Sequence, residues 1–132
     1  MKRLFIISGL TFLSISVIAQ TQTEMNEQAH KDFLKTEKEL NSTYNKILKQ
    51  YKSDTAFIKN FKKAQQIWLK LRDAEMEAKF PDRDKRNYGS IFPMCWSSYL
   101  AELTQERIKK LEEWLTGTEE GGCAGSVKIK DE

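Results

Sequence analysis

Asp54-Thr55-Ala56-Phe57-Ile58-Lys59-Asn60-Phe61-Lys62-Lys63-Ala64-Gln65-Gln66-Ile67-Trp68-Leu69-Lys70-Leu71-Arg72-Asp73-Ala74-Glu75 is the stretch that decides the fold. Phe57, Phe61, Ala64, Trp68, Leu71 and Glu75 recur at intervals of four, three, four, three and four. That is helical periodicity. Ser53 and Asp54 are cap-type residues and mark the break before it. Pro81 ends the run, because it lacks a backbone donor and restricts the residue before it. The spacing predicts a helix over about 54–79.

The pattern repeats on both sides. Upstream, Met25, Ala29, Phe33, Leu40, Tyr44, Ile47, Leu48 and Tyr51 form one apolar stripe, predicting a helix over about 22–51. Thr21 and Glu24 have capping-box spacing at its start. Downstream, Trp96, Leu100, Leu103, Leu111, Trp114 and Leu115 form a third stripe. Ser90 is its expected cap, Pro93 fits the first turn and Gly117 stops it. No useful strand alternation is present. Short connections make antiparallel neighbours, so the expected fold is all-α, an antiparallel three-helix bundle. The Gly- and charge-rich segment 117–132 reads as a flexible or weakly held tail.

The first residues read as a leader. Met1-Lys2-Arg3 is positive, Leu4 to Ile18 is apolar, and Val17-Ile18-Ala19 places small residues at the −3 and −1 positions. The expectation is a signal peptide over 1–19, cleaved after Ala19, and a periplasmic or secreted product. The apolar run is shorter than the ~20 residues of a membrane span. Residue 20 is Gln, so no Cys is placed for a lipid anchor. A domain over 20–116 and a tail over 117–132 remain.

Composition narrows the function. The chain carries 22 basic and 19 acidic residues, a net charge of +3. Loss of Lys2 and Arg3 takes this to +1, which gives no electrostatic case for nucleic acid. His30 is the single histidine, which excludes a two-histidine zinc motif. No phosphate-binding glycine loop or nucleophile elbow occurs. Glu37 with Glu39, Glu75 with Glu77 and Glu112 with Glu113 are too closely spaced on a helix to face one another as a catalytic dyad. The reading is a protein that is not an enzyme, with no cofactor and no metal. Cys95 and Cys123 form a candidate disulfide. Closure requires the tail to double back along a helix of roughly 30 Å.

Two groups of polar residues stand out. Gln65, Trp68 and Arg72 share a helix face, with Asp73 and Glu75 beside them and Asn41 and Tyr44 on the first helix within reach. An Arg at the core edge requires a polar partner. The group is either a polar network fixing the helices against one another or a binding site. The second group is the loop Phe80 to Gly89, too long and polar for a tight turn. Arg83, Lys85, Arg86 and Tyr88 are its candidate partner-binding residues, with ordinary loop charges as the alternative.

Several segments resemble a known family. Thr23-Glu24-Met25-Asn26-Glu27 is similar to its opening, and Glu37-Lys38-Glu39-Leu40-Asn41-Ser42-Thr43-Tyr44 to its “D-x-E-L-N-x-x-Y” run. Ala64-Gln65-Gln66-Ile67-Trp68 with Arg72-Asp73-Ala74-Glu75 resembles its “A-Q-x-x-W-x-x-x-R-D-A-E” core. Gly89-Ser90-Ile91-Phe92-Pro93-Met94 and Leu103-Thr104-Gln105-Glu106-Arg107 are similar to “G-S-I-Y-P-M” and “L-T-x-x-R”. In order, they cover about residues 22–115 and resemble the LprI-type lysozyme-inhibitor family. The resemblance implies a small exported helical protein that binds a lysozyme or another cell-envelope protein. The chain departs from the family where many members carry Cys, at Gln28, Met76 and Tyr99, and has Glu37 where the motif has Asp. A structural or interaction module without inhibitory activity is the alternative.

Overall fold

Asp54 begins the central helix as its spacing suggests: its carboxylate accepts a hydrogen bond from the Phe57 amide at 2.9 Å, filling one of the orphan donors of a helix start. In the computed structural model, which describes residues 10–119 and 121–130 and the side chains from residue 21 on, three helices follow one another. They are α1 (Leu10–Gln50), α2 (Thr55–Lys79) and α3 (Phe92–Thr116). A single 3-10 turn, Lys85–Tyr88, lies between α2 and α3. No strand occurs among the described residues; Thr118 and Ile129 form an isolated bridge.

α1 begins earlier than the stripe suggested, at Leu10 rather than near residue 22. Neither Pro nor Gly interrupts residues 10–50, so nothing local stops the helix. The expected leader over 1–19 lies outside the described residues at 1–9 and is described only as helical backbone from residue 10. No described helix is long and apolar enough to cross a membrane.

The core lies where the stripes of α1 and α3 meet. Ile47, Ile108 and Leu111 are fully buried, with Leu40, Tyr51 and Phe61 against them. Burial of an Ile or Leu side chain contributes roughly 1.5–3 kcal/mol, so this seam is the main apolar stabilisation. Backbone approach is close between α1 and α3 and much sparser at α2. Side chains span that gap. Tyr51 meets Phe57, Tyr44 stacks on Phe61 at 5.3 Å, and Phe57 and Phe61 reach Trp114. At the other end Phe80 packs against Phe92, Trp96 and Tyr99. Along α1, contacts to α2 run 51 to 57, 44 to 61 and 37 to 72, in opposite chain order.

Further expectations change. Ser90 does not cap α3: Ile91 holds the N-cap position without a side-chain bond, and the Ser90 carbonyl accepts from Asn26 Nδ2 at 3.0 Å. On α2, Leu71 is 54 % exposed and Ala64 is also exposed, although both belong to the apolar stripe. The buried residues of α2 are Phe61, Gln65 and Met76. The helix is therefore rotated so that Phe61, Gln65 and Met76 turn inward and Ala64 and Leu71 turn out.

Another change is the tail. It turns back and closes on the end of the helices. Thr118 N donates to Lys128 O and Lys130 N to Thr118 O, both at 2.9 Å. Trp114 Nε1 donates to Ser126 Oγ. Tyr51 joins all three parts: its hydroxyl donates to Trp114 O at 2.9 Å and accepts from Lys128 N at 3.2 Å. Gly117 permits the close approach. Its φ is 77°, and a Cβ there would lie 2.7 Å from Lys128 O. Composition registers glycines and charges but not these tertiary bonds, which is why the segment reads as loose. Cys95 and Cys123 are both free thiols. Cys95 sits in the first turn of α3 while the tail folds only over its far end.

Candidate functional site

Arg72 of α2 lies between the other two helices, its side chain 11 % exposed. Its Nη1 donates to Glu37 Oε1 of α1 and, at 3.2 Å, to Thr104 Oγ1 of α3. Thr104 is fully buried, and its hydroxyl also donates to Glu37 at 3.4 Å. One guanidinium thus ties three helices together. A second link lies beside it: Arg107 Nε of α3 donates to Gln65 Oε1 at 3.0 Å. Trp68 sits between the two cations, 5.1 Å from Arg72 and 5.7 Å from Arg107. Such cation–ring contacts are stabilising where water is excluded. Burial lowers the Arg107 pKa from the usual guanidinium value.

Helical spacing puts Gln65, Trp68 and Arg72 on one face, and the structure brings them together. Their partners, Glu37, Thr104 and Arg107, are not among the residues that the spacing singles out. Glu37 was legible in principle: it lies three residues before Leu40 and seven before Tyr44, on the same stripe. Asn41 is exposed and joins none of these bonds. Tyr44 is held by its stacking on Phe61, and burial raises its phenol pKa. Asp73 is 76 % exposed, with an oxygen 4.0 Å from Arg72 Nε. Glu75 is half-buried, outside the bonded set.

The loop after α2 is a built structure rather than a slack connection. Asp82 accepts from the Asp84 amide at 3.0 Å and from Asn87 Nδ2 at 2.7 Å. Asp84 caps the 3-10 turn through the Arg86 amide and accepts two bonds from the Arg86 guanidinium. Those bonds hold the Asp84 carboxyl below its ordinary pKa and raise that of Arg86. Tyr88 stacks on Phe92 at 5.2 Å, and its hydroxyl accepts from Asp82 N at 2.9 Å. Lys85 turns inward: Nζ donates to Phe80 O, lies 3.7 Å from Glu77 and sits over Trp96. Lys85, Phe92, Pro93, Trp96 and Ser97 line a shallow apolar cleft of about 370 Å³.

The four candidate loop residues therefore divide. Lys85 and Tyr88 brace the loop from within. Arg86 is 90 % exposed but engaged with Asp84. Arg83 is exposed and makes no ion pair among the described residues. His30 lies exposed on α1 near Phe33. No three His, Cys, Asp or Glu side chains cluster as a metal site among the described residues.

A family model described as lysozyme inhibitor LprI matches residues 16–111. The chain belongs to the LprI lysozyme inhibitor family. It is similar to an uncharacterized protein, R02472, of Rhizobium meliloti strain 1021, being 33 % identical over 113 residues that cover 76 % of this chain and 78 % of the relative. No solved structure matches. The LprI match contains every member of the three-helix clamp (Glu37, Gln65, Trp68, Arg72, Thr104 and Arg107) and the whole loop from Pro81 to Gly89. It ends at residue 111, before Trp114 and the closing tail.

Proposed function

We propose that this protein is an exported binding protein of the cell envelope that inhibits a lysozyme-type glycosidase by presenting the loop 81–89 to the enzyme's cleft. Membership of the LprI lysozyme inhibitor family carries this reading. The chemistry of the target supports it. Lysozyme-type clefts hold two carboxylates, and a basic side chain inserted between them would pair with them and keep the sugar out. Arg83 is the loop cation free to do this, with Arg86 next to it. Asp82, Lys85 and Tyr88 hold the loop in shape before any partner arrives, which lowers the ordering cost of binding. The leader pattern over 1–19 supports delivery to the compartment where such enzymes act. The opposed order of contacts along α1 and α2 supports an antiparallel three-helix bundle as the rigid base.

The polar clamp serves as scaffold in this reading. Arg72 Nη1 meets Glu37 and Thr104 and Arg107 meets Gln65, while Arg72 Nε is buried without a hydrogen bond; such directional contacts hold elements in one arrangement. The test is the clearing of a bacterial cell-wall suspension by lysozyme with purified protein added. Inhibition is expected, weakened at least tenfold by Arg83→Glu with unchanged helical content. Undiminished lysis in excess protein rejects the reading for that lysozyme. A role as an interaction module without inhibition is the second reading, favoured by the apolar residues exposed on α2.

A further inference from the structure

α2 carries two apolar stripes, and only one is used. Phe61 and Met76 with the clamp residues face inward. Ala64, Ile67, Leu71, Ala74 and Ala78, spaced at three, four, three and four, are all exposed. Ile67 is 55 % and Leu71 is 54 % exposed. Single exposed apolar residues are ordinary. Five at coiled-coil spacing form a continuous seam of about 21 Å at 1.5 Å per residue.

The charges beside this seam specify its occupant. From Thr55 to Arg72 the helix contains no acid, and Lys59, Lys62 and Lys63 are exposed in its first half. Asp73, Glu75 and Glu77 lie in its second half. Lys79, which follows them, holds its Nζ 3.5 Å over the Tyr99 ring. The helix is thus basic at one end and acidic at the other. A parallel copy would set lysine on lysine. An antiparallel copy sets the basic half on the acidic half, twice by symmetry.

We propose that the outward face of α2 is a homodimer interface, with two copies pairing this helix antiparallel about a two-fold axis near Ile67 and Leu71. The same patch meets itself, as an isologous contact requires. Lys63 and Glu77 each stand one position before a seam residue, so each Lys63 lies opposite Glu77 of the second copy. Such flanking pairs set partner and orientation. Ala64, Ala74 and Ala78 allow the axes to approach to about 8 Å. Lys70 faces its own symmetry mate near the axis. Its long stem can extend away to water, and this like-charge contact makes the association weak. The inference does not rest on the lysozyme reading, although Glu77 also lies 3.7 Å from Lys85 of the loop.

Sedimentation of the purified protein up to about 1 mM, the weak end of measurable association, tests it. A reversible monomer–dimer equilibrium is expected. Ile67→Asp with Leu71→Asp removes it while circular dichroism and thermal midpoint stay near those of the parent. Lys63→Glu alone weakens dimerisation severalfold, and adding Glu77→Lys restores it. A strict monomer throughout overturns the proposal. A dimer that survives the double aspartate variant overturns it too, and a failure of the paired reversal overturns the antiparallel arrangement.

Discussion

The contact between α1 and α3 and the attachment of α2 are held by different physics. α1 and α3 approach closely along an apolar seam of Leu40, Ile47, Ile108 and Leu111. α2 is attached by long side chains: aromatic rings at each end, and Arg72, Trp68 and Gln65 between them. The apolar seam is non-directional and gives most of the stability. The clamp is directional, because Arg72 finds Glu37 and Thr104 together at one setting of the helices. That difference explains how α2 keeps a fixed rotation while leaving an apolar stripe exposed.

Each mode of attachment can be removed by itself. Ile108→Ala opens a cavity where packing is tightest and is expected to cost about 4 kcal/mol in chemical denaturation; a loss under 1 kcal/mol would mean that the α1–α3 seam is not the main core. Glu37→Ala leaves the Arg72 charge buried without its carboxylate, an expected loss of about 3 kcal/mol, at the low end of the range for a broken buried pair because Glu37 is partly exposed. Joint replacement of Glu37 by Leu and Arg72 by Met should recover most of that loss. If it does not, the ion pair contributes more than its replacement by apolar packing can supply.

Smaller effects sharpen the contrast at its edges. Gly117→Ala forces a side chain against Lys128 O at a positive φ and should cost about 1–2 kcal/mol. It should also expose the Thr118 and Lys130 amides to faster hydrogen exchange. Leu71→Ser changes monomer stability by no more than about 0.5 kcal/mol, as for surface positions, and a larger loss in dilute protein would place Leu71 in the monomer core. The smallest effect is in the loop. The Asp84 carboxyl has its pKa lowered by Arg86, so the Asp84–Arg86 contact is complete above the ordinary Asp pKa and is lost as pH falls through the lowered value. The Arg86 Nε–H resonance, followed by NMR through acid titration, should report that loss without unfolding of the helices.

The three helices were legible because helix formation follows local periodicity and caps, and Asp54, Pro81 and Gly117 punctuate it. The loop was legible as a feature but not in its roles. Lys85 and Arg86 are both basic loop residues in sequence, yet one turns onto Phe80 O and Trp96 while the other meets Asp84. The tail's fold is not legible, because glycine and lysine say nothing of a backbone pairing with Thr118.

Periodicity and its punctuating residues determined three helices and a long polar loop after the second. Only the tertiary structure decided which face of the second rod turns inward. Ala64 and Leu71 belong to the apolar stripe yet turn out, while Arg72 turns in with Phe61 and Met76 and meets Glu37 and Thr104. A stripe lowers free energy against any apolar surface, whereas a buried guanidinium requires its own acceptors in place, so the polar group fixed the rotation.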